Sequence, residues 1–157
     1  MHFNCLSLNI FNEHLKHPLV YLSDRGAIER WMNTEDPIVK IEYCRTPLGG
    51  WQVSSLILHH SFLVLKTRDW WWSVEKMPDA IIVQRSRDYE KVFLYQKGVK
   101  RETGLFWKRP TIDYERNPKE VKTVEDVVYC LWTAIFEKYN LLMANCRDFA
   151  RDLFAEL

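Results

Sequence analysis

Glycine is scarce in this chain of 157 residues, 5 in all, and proline is little more frequent at 6. With 47% hydrophobic and 14% aromatic residues, such a chain is neither a flexible linker nor a disordered segment, and one packed domain is expected. Neither sign of charge is in marked excess. Lysine and arginine number 22 against 21 acids, a formal net charge of +1, and no basic stripe carries interleaved aromatics, so nucleic acid is not an expected partner. Residues 97–122 are locally basic and the C-terminal helices acidic, which reads as solvated faces. No apolar run reaches the roughly 18 to 20 residues that a membrane span requires, so no integral membrane segment is expected. The opening Met1-His2-Phe3-Asn4-Cys5-Leu6 lacks the basic start of a secretory signal and is followed by Asn9 and Asn12.

The 4 cysteines, Cys5, Cys44, Cys130 and Cys146, are dispersed, with no Cys-x-x-Cys or similar spacing. That pattern points to no metal and no cofactor, a zinc site built from His59 or His60 with a cysteine being the weak exception. Reduced thiols and a cytoplasmic location are the expected state.

What is present runs from strands to helices. Residues 1–23 have no clean period and suit one short strand or helix. Ser23 or Asp24 can cap a short helix through Ala27, Ile28, Trp31 and Met32, ending before Pro37. Ile38–Tyr43 reads as a strand and Pro47-Leu48-Gly49-Gly50 as a turn. The run Leu56-Ile57-Leu58-His59-His60-Ser61-Phe62-Leu63-Val64-Leu65 is too apolar for a one-sided strand and predicts a central one, covered on both faces. A turn at Thr67–Asp69, a strand over Trp70–Lys76, a turn at Met77–Asp79, and strands over Ala80–Arg85 and Lys91–Gln96 continue an antiparallel meander. Residues 101–120, with Pro110 and Pro118, read as a long surface loop with at most one short element. Thr123 with Asp126 starts a helix whose stripe is Val124, Val127, Val128, Leu131 and Ile135. The fold class expected is α+β, an antiparallel meander packed against C-terminal helices, in a single domain over residues 1–157. Within it residues 1–50 form an N-terminal elaboration and residues 51–157 the core.

Chemistry concentrates in the last helix. Asn145 is a suitable N-cap, Asp148 complements the positive end of the helix, and Cys146 takes the first helical position. Phe149, Ala150, Leu153, Phe154 and Leu157 share one apolar face with Cys146, so the thiol points inward. Unpaired N–H groups at a helix start stabilise a thiolate, lowering a thiol pKa from about 8.5 to roughly 3.5 to 7.5, and they can hold an oxyanion. Such a nucleophile needs a base, and histidine is the commonest. His59 and His60 are unusual in a central strand and point to opposite faces, so only one of them can face the helix that carries Cys146.

A histidine opening an apolar strand, then further strands, then a helix, then Asn145-Cys146-Arg147-Asp148-Phe149 opening a terminal helix resembles the circularly permuted papain-like thiol hydrolases. These include the PPPDE isopeptidases, the lecithin retinol acyltransferase-like proteins and NlpC-type relatives. His60-Ser61-Phe62-Leu63-Val64-Leu65 is similar to the strand after the catalytic histidine, and Tyr139-Asn140-Leu141 to the approach to the catalytic cysteine. The resemblance covers roughly residues 55–157, and Lys66-Thr67 stands where a glycine commonly ends the histidine strand. It implies a papain-like, NlpC-like fold, Cys146 as nucleophile, His60 as base, and a protein or acyl-containing substrate with an amide, isopeptide or ester bond.

A third group often fixes the tautomer of the base. A hairpin turn at Thr67–Asp69 sets His60 across from Glu75 or Lys76, which makes Glu75 the candidate third catalytic residue and Gln84 a weaker substitute. A one-residue slip would turn Glu75 to the other face. Among Trp70, Trp71 and Trp72, alternation sends Trp71 to one face and its neighbours to the other. Trp107 in the long loop is a candidate substrate contact. The alternative function is a noncatalytic protein-interaction module that uses the tryptophan-rich strands or the long loop.

Overall fold

The computed structural model of the chain describes residues 7–12, 19–21, 26, 35–47, 59–78, 80–101, 109–134 and 146–157. The strands, in chain order, are Ser7–Asn12 (β1), Leu19–Tyr21 (β2), Lys40–Pro47 (β3), His59–Lys66 (β4), Trp71–Lys76 (β5) and Ala80–Ser86 (β6). A short helix, Tyr89–Phe93 (α1), leads to the ribbon Tyr95–Gln96 (β7) and Val99–Lys100 (β8). Then come the strand Thr111–Arg116 (β9) and the helices Val124–Ala134 (α2) and Cys146–Glu156 (α3). Seven strands form one sheet in the order β2-β1-β6-β5-β4-β3-β9, and β7 and β8 pair separately. The architecture is α+β, with five antiparallel strands from β6 to β9 and the helices of the C-terminal region packed on them.

The central strand lies where the apolar run placed it. Phe62, Leu63, Val64 and Leu65 of β4 are all buried, and each face of the strand has its own cover. Leu63 and Leu65 join Ile41, Tyr43, Trp72, Val74, Ile81 and Val83 in a core closed by Val124, Val127 and Leu131 of α2 and Phe149, Ala150, Leu153 and Leu157 of the terminal segment. On the other face Cys44, Phe62 and Val64 pack under Val92 and Phe93 of α1. The hairpin turns form at the expected breaks. Thr67 N donates to Trp70 O at 2.9 Å, and Met77 N donates to Ala80 O at 2.7 Å. Asp126 starts α2 by accepting from Thr123 N at 2.7 Å and from Thr123 Oγ1 at 3.2 Å.

Four expectations need correction. Residues 91–96 are not one strand, since only Tyr95–Gln96 is extended: Asp88 accepts from Glu90 N at 3.0 Å, and this N-cap starts α1, which turns adjacent Val92 and Phe93 onto the sheet. The chain then returns through Lys97 (φ 48°) and Gly98 (φ 79°), the two positive φ values that a tight two-residue hairpin requires. Residues 101–120 are not simply a surface loop. Arg101 is buried, and β9 pairs with β3 at the sheet edge, where charged Asp113, Glu115 and Arg116 disguise it as loop, as is usual for an edge strand. The opening segment supplies two strands instead of one element, and β1 runs parallel to β6, so the sheet is mixed beyond the meander. Finally, β3 extends to Pro47, which ends a strand where a turn was expected. The helix expected at residues 27–32, the turn residues 48–50, Ile135, Trp107 and Asn145 lie outside the described residues.

Candidate active site

His60 is the second residue of β4, and Thr46 of β3 pairs with it in the sheet. Its ring stacks at 15° on Phe62, with centroids 6.4 Å apart, so it belongs to the face covered by α1. The β4–β5 ladder pairs Leu63 with Val74. Continued by one step, that register sets Phe62 opposite Glu75, and His60 reaches Glu75 diagonally along the same face. The register expected from the turn differs from this one, yet Glu75 keeps its face. His60 Nε2 and Glu75 Oε2 are 2.6 Å apart, both side chains buried.

Cys146 is the first residue of α3 and is 5% exposed. Helix α3 packs on the face opposite to His60, through Phe149, Ala150 and Leu153. Strand alternation alone therefore assigns His60 to the wrong side of the sheet for this helix. The contact is made because Cys146 is at the tip of α3, where β4 begins, with Sγ 4.0 Å from the His59 carbonyl oxygen. At that end Cys146 and Glu75 both act on the His60 ring and favour its charged form. Burial opposes a charged imidazole, but Cys146 and Glu75, as acceptors and as negative charges, raise the His60 pKa from 6.5 to about 9.

Glu75 is fully buried and yet held well below the usual carboxylate range. Burial pushes its pKa up. The Arg101 guanidinium, reinforced by hydrogen bonds from His60 and Arg101, pushes it down and wins. Arg101 NH1 donates to Oε2 at 2.9 Å and NH2 to Oε1 at 2.7 Å, a bidentate clamp, while Gln96 Nε2 donates to Oε2 at 2.6 Å. Arg101 also lies flat over Phe62, 3.9 Å from its ring centroid. Neither Arg101 nor Gln96 was legible as a site residue. Both belong to the β7–β8 ribbon region, whose fold hinges on the Asp88 cap and the Lys97-Gly98 turn.

The structure thus brings together Cys146, His60 and Glu75. Gln84, the substitute third residue, is otherwise engaged: its amide donates to Tyr95 O at 2.6 Å and Val92 O at 3.3 Å and accepts from Lys97 N at 3.0 Å. It braces α1 and the ribbon. The His59 side chain is half-buried and belongs to the opposite face. Trp72 is core and donates to Thr67 Oγ1 at 3.2 Å, whereas Trp71 packs edge-on against Tyr89 and Trp70 lies under Arg85 and Arg87. Cys44, Cys130 and Cys146 are not joined in disulfides. Burial raises Cys44 well above an ordinary thiol. Among the described residues no group of three or more His, Cys, Asp or Glu side chains stands ready to hold a metal ion, and no helix is long and apolar enough to cross a membrane.

Comparison with family models, curated proteins and solved structures found no match to this chain.

Proposed function

We propose that this chain is a thiol hydrolase or acyl-transfer enzyme of circularly permuted papain-like fold, acting on an amide, isopeptide or ester bond of a protein or acyl-containing substrate. The observation that carries the reading is the His60 ring, held 2.6 Å from buried Glu75 at the end of β4, where Cys146 opens α3 with its sulfur 4.0 Å from the adjacent His59 carbonyl oxygen. A ring held this way has a fixed orientation and a fixed tautomer, which is what a general acid–base needs. The order of elements supports the same reading, since a histidine strand comes first and a cysteine-initiated helix comes last.

In the proposed reaction the Cys146 sulfur attacks the carbonyl carbon of the substrate and forms a tetrahedral intermediate. Backbone N–H groups in the first turn of α3 stabilise its oxyanion. The His60 imidazolium gives its proton to the leaving amine or alcohol, and the C–N or C–O bond breaks to leave a thioester on Cys146. Neutral His60 then takes a proton from water or another acceptor nucleophile. Attack on the thioester carbonyl releases the acyl group and regenerates the thiolate and imidazolium. Glu75 keeps its charge throughout and holds the ring.

The test is acyl-enzyme trapping with p-nitrophenyl acetate. A burst of nitrophenol with an acetyl adduct on Cys146, absent from Cys146→Ser and turning over slowly in His60→Ala, is the expected result. Acylation spread over surface lysines, with no burst that depends on Cys146, would refute the hydrolase reading.

A further inference from the structure

Four ionisable side chains stand in sequence inside the protein: Cys146, His60, Glu75 and Arg101, which are 5%, 7%, 0% and 7% exposed. We propose that Arg101 is a positioning residue that sustains the thiolate–imidazolium form of the Cys146–His60 pair by supplying the counter-charge that Glu75 needs. The inference rests on the proposed roles of Cys146 and His60.

It follows from counting charges where water is excluded. A thiolate at Cys146 and a carboxylate at Glu75 are two negative charges, and His60 supplies one positive charge between them. Arg101 supplies the second, so the quartet is neutral, and a guanidinium carries its charge throughout the accessible pH range. Without Arg101 the row holds a net negative charge in a desolvated place. A buried, uncompensated charge is relieved by taking up a proton, and either anion can take it. A proton on Cys146 removes the nucleophile. A proton on Glu75 removes the partner that keeps His60 charged.

The geometry fits a residue fixed for this task. Arg101 meets both carboxylate oxygens, at 2.9 and 2.7 Å, its backbone N donates to Leu94 O at 2.8 Å, and its guanidinium covers Phe62, the ring on which His60 stacks. Gln96, at 2.6 Å from Oε2, orients the same carboxylate but adds no charge. Tyr43, on β3, feels the charges of Cys146, of Arg147 on α3 and of Asp113 on β9, so these groups share one neighbourhood. Arg147 is exposed, so solvent screens it, whereas Arg101 is not.

The experiment is the pH dependence of Cys146 alkylation by iodoacetamide, read by mass spectrometry on the full chain. It compares wild type, Arg101→Lys, Arg101→Met, Glu75→Gln and the double variant Arg101→Met/Glu75→Gln, each checked for a cooperative thermal transition. The wild-type midpoint is expected below the roughly 8.5 of a free thiol. Arg101→Met should raise it by about one unit or more, about a tenfold loss of thiolate at lower pH. Arg101→Lys should stay near wild type. The double variant, neutral again, should fall back part of the way towards wild type, since the glutamine no longer holds His60 charged, and Glu75→Gln alone, with an excess positive charge, should fall below the double variant. That last comparison still decides the matter if Arg101→Met does not fold.

A low wild-type midpoint that Arg101→Met leaves in place would overturn the assignment. So would a double variant that stays as far shifted as Arg101→Met, since the loss would then be one of packing. A wild-type midpoint at the free-thiol value would instead overturn the proposed Cys146–His60 pair itself.

Discussion

Replacing Glu75 by alanine should be among the most destabilising single changes in this protein. The carboxylate is fully buried and accepts four short contacts, from His60, Gln96 and both terminal nitrogens of Arg101. Alanine would strand a guanidinium and an imidazole in the interior together. Charge-assisted hydrogen bonds contribute about 1.5 to 3 kcal/mol each, but contacts that share one acceptor do not add. The better guide is the loss of one partner from a buried ion pair, about 3 to 5 kcal/mol. Against a total stability of about 5 to 15 kcal/mol this is a large fraction. With a urea dependence of about 2 kcal/mol per molar, the unfolding midpoint would fall by about 2 M.

The loss must depend on pH. Because the folded-state pKa of Glu75 is depressed, its stabilisation is complete above the ordinary carboxylate value of 4.5 and is lost as pH falls towards the folded value. Because Glu75 also raises His60 from 6.5, the gap between wild type and Glu75→Ala should be widest between about pH 4.5 and 6.5, stay large at pH 7, and narrow steadily below pH 4.5. Urea unfolding followed by tryptophan fluorescence across this range measures it. A loss under about 1 kcal/mol at pH 7, or a gap that does not change with pH, would show that Glu75 is not the buried anchor of this network.

Two further predictions follow from the surroundings. Cys44 is buried on the α1 side with its thiol raised well above the ordinary value, so iodoacetamide at neutral pH should label Cys146 and leave Cys44 unmodified, as peptide mass spectrometry would report. Asp126 accepts both bonds that Thr123 offers at the start of α2, and Asp126→Ala should lower stability by about 1 kcal/mol in urea titration, with no change in the rate of Cys146 labelling.

Local chemistry explains which features were legible in the sequence. The unbroken apolar run at Phe62–Leu65 could only be a strand buried on both faces, and the breaks at Thr67–Asp69 and Met77–Asp79 fixed its neighbours in the sheet. Glu75 was legible because strand parity survives a register change of an even number of residues. What escaped is what tertiary contacts decide. Val92 and Phe93 suit a strand as well as a helix, and only the Asp88 cap tips them towards α1. Arg101 has no periodicity to mark it, because its position comes from a carboxylate 26 residues earlier in the chain. The His60–Cys146 contact escaped a face argument for another reason. Alternation describes the middle of a sheet, and this contact lies at the end of β4, where the tip of a helix on one face meets a ring from the other.

The most direct test of the account is an NMR titration of the His60 ring in wild type and in Cys146→Ser. The account requires a midpoint near 9 in wild type, well above the ordinary 6.5, and a lower one once the sulfur is gone, because Cys146 is one of the groups that raises it. A His60 ring that titrates near 6.5 and does not respond to Cys146→Ser would contradict the pairing of these two residues, and with it the proposed chemistry.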